Sequence, residues 1–67
     1  MSIAKVIEVL AEGDSIESAV EDAIQNASKT IKNIRSAYVN DIQAVIRDDS
    51  VIKYRVNVKL TFVVQDT

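Results

Sequence analysis

The last third of the chain alternates. Ile52, Tyr54, Val56, Val58, Leu60, Phe62 and Val64 occupy every second position, and Lys53, Arg55, Asn57, Lys59 and Thr61 lie between them. Successive side chains of an extended chain point to opposite faces, so this period of two describes a strand with one apolar and one polar face. Such a strand belongs to an antiparallel sheet covered on one side. The rest of the chain must supply its partners and its cover.

Residues 2–11, "SIAKVIEVLA", form a short run rich in Val, Ile and Leu and read as a first strand. "EGDSIE" follows with the only glycine, and Asp14 with Glu17 has the spacing of a helix capping box. Ile16, Ala19, Val20, Ala23, Ile24, Ala27, Ile31 and Ile34 then fall on one helical face, predicting a helix of five turns. Asn33 suits a left-handed cap at its C-terminus. A second long strand is expected over residues 35–46, and "RDDS" makes a polar turn before the alternating run. The predicted fold is α+β, a single β-α-β-β domain over residues 1–67 with a three-stranded antiparallel sheet packed on one helix. Neither long strand contains proline or a bulge-making glycine, so at least one sheet edge is open to other chains. The polar face carrying Lys53, Arg55 and Lys59 is either simply solvated or lines a cavity or cleft between subunits.

Composition narrows the function classes. A chain of 67 residues buries only about 60% of its unfolded surface, so a lone core is marginal. Cysteine and histidine are both absent, which removes disulfides, thiolate metal sites and the commonest transition-metal ligand and general base. Oligomerisation is the remaining route to stability. Net charge is −2 with scattered cations, which gives no basic stripe for nucleic acid. No apolar run approaches the roughly 20 residues of a membrane span. The first residues lack the basic-then-apolar pattern of a secretory signal, so a cytoplasmic protein is expected. A Ser–Lys nucleophile at Ser36 or Ser50 has nothing to position it, and one glycine cannot build a phosphate loop. Acidic neighbours such as Glu17 with Glu21 read as solvated charges, with a hard-cation site as the minority reading. The residues favour a binding or structural module over an enzyme.

The order of strand, capped helix, strand, acidic turn and long alternating strand resembles the dodecin family. The likeness runs from Lys5 to Phe62. It includes "KVIEV", Ser15 at the helix start, the spaced alanines Ala19, Ala23 and Ala27, "TIKNI" from Thr30, and "YRVNVKLTF" from Tyr54. The resemblance implies a hollow homododecamer that stores or sequesters a flavin such as riboflavin or FMN and runs no reaction. In that family a tryptophan opening the second strand stacks on the flavin ring, and a glutamine on the third bonds its pyrimidine edge.

Both positions differ here. Ser36 stands where the tryptophan is expected and Arg55 where the glutamine is. Ring stacking is worth on the order of 1–3 kcal/mol, by analogy with bases on aromatic platforms. Arginine offers donors but no acceptor for the ring N–H, and an unpaired buried polar group costs about 1–3 kcal/mol. Together these losses weaken flavin binding by roughly two to four orders of magnitude, at about 1.4 kcal/mol per decade. Tyr38 shares the face of Ser36 but lies about 6.6 Å along the strand, displaced from the usual stacking position. It is expected to be a half-buried sheet residue.

"IR" and Ala37, with Tyr54 and Arg55, resemble a branch of the family that lacks the tryptophan and is known as calcium dodecins. On chemistry alone, the oxygen donors for Ca²⁺ are Asn40, Asp41, Asp48 and Asp49. An anionic ligand held by Arg55 and a purely structural or partner-binding module using the open sheet edge are the other readings.

Overall fold

The computed structural model describes residues 2–66, with side-chain surroundings for residues 3–64. The elements are β1 (Ser2–Gly13), α1 (Ile16–Ala27), β2 (Ile34–Arg47) and β3 (Ser50–Asp66). The sheet order is β1-β3-β2 with both pairings antiparallel, so the alternating strand is central and two strands are edges. The expected β-α-β-β subunit, three antiparallel strands on one helix, is the fold observed.

The helix boundaries differ from the sequence expectation. The N-cap is Ser15, one residue later than Asp14. Ser18 N–H donates to Ser15 Oγ at 3.0 Å, and Ser15 N–H donates to Ser18 Oγ at 3.0 Å, a reciprocal box made by two serines. The helix ends at Ala27 and does not continue to Ile34. Ser28, Lys29 and Thr30 close a tightened turn onto the carbonyls of Ile24, Asn26 and Ala27, and Ser28 Oγ donates to the Gln25 carbonyl at 2.8 Å. Ile31 and Ile34 keep the helical spacing but lie half-buried beyond the helix, Ile31 in the connection and Ile34 as the first residue of β2. Asn33 does adopt a left-handed backbone, with φ 64°, but in that connection and not as the helix cap.

The β2–β3 turn is made by Asp48 and Asp49, both left-handed at φ 51° and 64°. Two consecutive left-handed residues match the twist of a tight hairpin, a conformation Asp tolerates. β2 shifts register between Ile34 and Ser36, Val39 and Asp41, and Val45 and Ile46, so bulges form without glycine. The shift at Asn40 exchanges the faces: Ile42, not Asp41, continues the side of Ala37 and Val39.

Ala19 and Ala23 bring α1 close to β3, where Val56, Val58 and Leu60 are fully buried. Ile7, Val9, Val20 and Ile24 pack around this centre. Ile52 and Val64, at the ends of the alternating run, are exposed. Length explains this: twelve helical residues span about 18 Å, whereas the seventeen residues of β3 span about 55 Å. The subunit is accordingly elongated, 53 × 20 × 13 Å, and Val6, Leu10, Ile42, Ile46 and Val51 remain exposed.

Candidate functional site

The sheet face away from α1 is a grid of cross-strand rows. Val6, Thr61 and Ser36 form one row, Glu8, Lys59 and Tyr38 the next, then Leu10, Asn57 and Asp41, then Glu12, Arg55 and Gln43. The last row is the most strongly bonded. Arg55 Nε and Nη2 donate to Glu12 Oε2 at 2.8 and 2.7 Å, and Lys53 Nζ donates to Glu12 Oε1 at 2.9 Å. Arg55 Nη1 reaches Gln43 Oε1 at 3.5 Å. The Lys53 hydrogen bond and then that of Arg55 hold the Glu12 carboxyl below its ordinary pKa. Both oxygens of one carboxylate are used by two cations, so the Arg55 charge is largely answered within the chain.

Ser36 and Arg55 are not brought together in one chain. Ser36 faces Thr61, six residues along β3 from Arg55, a separation of about 20 Å. Ser36 instead lies on the wall of a cleft of about 680 Å³ between the end of α1 and the start of β2, floored by Ile24, Ile31 and Ile34. Tyr38 is 67% exposed beside Lys59, more open than the half-buried position expected of it. Ser36 faces Thr61 and Ser50 faces Arg47, so neither hydroxyl is paired with a lysine.

The four oxygen donors fall into two pairs. Asn40 and Asp41 adjoin at the β2 bulge, where Asn40 Nδ2 donates to Asp41 Oδ2 at 3.3 Å. Asp48 and Asp49 form the hairpin turn. Asp48 lies seven positions beyond Asp41, about 23 Å of extended chain. Among the described residues, no three acidic side chains of one chain converge on a point that could hold a metal ion.

Glu12 and Gln43 escaped the sequence reading, and Lys53 entered it only as a charge on the polar face. A signal for Glu12 was present: Glu8 and Glu12 are four apart, as are Lys59 and Arg55, and antiparallel pairing sets each acid opposite a base. Asn57 could not have been foreseen. Its Oδ1 is buried without a hydrogen-bond partner on the same face, between the Tyr38 and Arg55 rows.

The chain matches the Dodecin family over residues 3–65. No curated protein matches it significantly. Among solved structures, a dodecin from Streptomyces coelicolor is 27% identical, covers 98% of this chain and 96% of its own, and superposes with a TM-score of 0.89. A calcium-chelating antigen from Mycobacterium tuberculosis, a calcium dodecin with a novel calcium-binding site, is also 27% identical over 98% and 96%, with a TM-score of 0.81. A protein from Thermus thermophilus shares the fold at a TM-score of 0.91 over the full length of both chains, at 24% identity. The chain belongs to the dodecin family. Dodecins are small, self-assembling, non-catalytic ligand-binding proteins, and this one is not an enzyme. Among the described residues, no helix is long and apolar enough to cross a membrane.

Proposed function

We propose that the chain is a subunit of a cytoplasmic homododecameric ligand-binding shell whose family flavin site is altered, so that flavin is bound weakly or not at all. The observation that carries this reading is the Glu12–Arg55–Lys53 cluster. A flavin's pyrimidine edge needs both donors and acceptors, and Arg55 supplies donors only. Its guanidinium is already held by Glu12, so meeting a flavin there means breaking a charge-assisted pair. Ser36 adds no ring to offset that loss. The residues present therefore do not fit the family's usual flavin contacts. The same pairing weakens the reading in which Arg55 holds an anionic ligand.

Fluorescence titration with riboflavin and FMN tests this. The native protein binds roughly two to four orders of magnitude more weakly than a Ser36→Trp/Arg55→Gln double variant, from the stacking and hydrogen-bond terms above. A native protein that purifies yellow with stoichiometric flavin contradicts it.

A second reading is a calcium-binding shell, favoured by the likeness to the calcium-chelating dodecin. Asn40, Asp41, Asp48 and Asp49 remain its donors. The two pairs are far apart along β2, so the ion's ligands must come from more than one subunit. A rise in melting temperature with Ca²⁺ that chelator reverses supports this reading, and no shift at millimolar Ca²⁺ removes it. A structural module recruiting partners through the edges of β1 and β2 predicts instead a monomer or dimer in solution.

A further inference from the structure

The row of Glu12, Arg55 and Gln43 has the chemistry of an anion receptor filled from within. Arg55 holds one oxygen of Glu12 through Nε and Nη2, and Lys53 takes the other. Gln43 Oε1, 3.5 Å from Arg55 Nη1, steadies the guanidinium from β2. Two cations face one carboxylate, so the cluster keeps a net positive charge. Arginine and lysine also carry more N–H donors than Glu12 and Gln43 accept here. The pairing of β1 ends at Gly13 with Tyr54, so no β1 residue stands opposite Lys53, and Val45 flanks it on β2. That end of the cluster is open. Glu12 is 40% exposed, so its carboxylate can turn into water without uncovering a buried group. The other charges of this face stand in separate rows, Glu8 opposite Lys59 and Asp41 opposite Asn57.

We infer that Arg55 and Lys53 form an oxyanion site in which Glu12 is the resident stand-in, and that a phosphate-type dianion takes its place when Glu12 turns aside. The inference rests on the reading of an altered flavin site and names the ligand class its cations accept. Charge and donor number favour a dianion. It neutralises both cations where Glu12 neutralises one, and its additional oxygens answer the donors that Glu12 leaves unused. A free monocarboxylate brings only what Glu12 already supplies. It also bears the entropic cost of association, which a tethered side chain avoids. Glu12 is thus a specificity residue, holding the site against monoanions and against the flavin edge.

Calorimetric titration with inorganic phosphate at neutral pH tests this on the full chain. Glu12→Gln keeps the shape of the side chain and removes its charge. It binds phosphate about tenfold or more tighter than the native protein, the worth of one charged hydrogen-bonding partner. Adding Arg55→Gln abolishes the gain, and chloride at equal ionic strength does not reproduce it. Equal phosphate affinity in native and Glu12→Gln proteins overturns the inference. So does a gain that survives Arg55→Gln, or a chloride response equal to that of phosphate. A second measurement needs no variant. Phosphate draws the two cations from Glu12, so NMR titration of the native chain shows the lowered Glu12 pKa rising further in phosphate than in chloride of the same ionic strength; an equal rise is contrary evidence. Riboflavin, which carries no phosphate, separates the two readings. Tight stoichiometric riboflavin in the native protein overturns the altered-site reading and this inference with it. Weak riboflavin binding beside a Glu12→Gln protein indifferent to phosphate overturns this inference alone.

Discussion

Gly13→Ala tests how β1 is joined to α1. Gly13 is not in the left-handed region, so backbone freedom is not what requires glycine there. The requirement is space. An added Cβ lies 2.6 Å from Ser18 Oγ, 2.7 Å from Ala19 N and 3.0 Å from Ala19 Cα. Ser18 can rotate away only by leaving the Ser15 box, and Ala19 cannot move because it is fully buried against β3. Losing the cap costs about 1 kcal/mol, and forcing a methyl into a packed contact costs about 1–3 kcal/mol more. The total, about 2–4 kcal/mol, is a large share of the roughly 3–10 kcal/mol available to a chain of this size. Urea denaturation at fixed protein concentration measures it. With a slope near 1 kcal/mol per molar for so small a chain, the midpoint falls by about 2 M or more. Adding Ser18→Ala removes the nearest collision but leaves the backbone of Ala19, so the double variant stays destabilised. A Gly13→Ala protein within about 0.5 kcal/mol of native would refute the close-approach reasoning.

Leu60→Ala empties the middle of the small core and costs about 2–5 kcal/mol, enough to unfold the unassembled chain, as circular dichroism will show. Asn57→Val removes a buried acceptor that has no partner and raises the melting temperature of the subunit; a fall of more than a few degrees shows that an adjoining chain satisfies that oxygen. The pKa of Glu12 is lowered in the folded state, so its contribution is complete above the ordinary carboxylate range and fades as pH drops through the lowered value. Glu12→Gln therefore narrows the stability difference between neutral and acid pH, with NMR titration of the native carboxyl as the direct check. The effect is small because the pair is well exposed to solvent.

Element types and order were legible because the periodicities of two and near 3.6 are clean. Strand ends and the helix stop were not. Ile31 and Ile34 keep the helical spacing after the helix has ended, because the connecting turn leaves them on the same apolar side. The capping box was misplaced by one residue since Asp14–Glu17 and Ser15–Ser18 both have the required spacing, and it is the second pair that makes the reciprocal bonds. The bulge at Asn40 was invisible because no glycine marks it. For the site, the departures at Ser36 and Arg55 were readable from the resemblance, but their separation and the role of Glu12 depend on strand register. Alternation gives the face of a residue and leaves open its partner across the ladder.

Native mass spectrometry of the purified protein bears most directly on the central claim, because it reports subunit number and retained ligand together. A single species of twelve 7.4 kDa chains without stoichiometric flavin is the predicted result. A monomer or dimer, or a dodecamer carrying one flavin for each subunit, contradicts it.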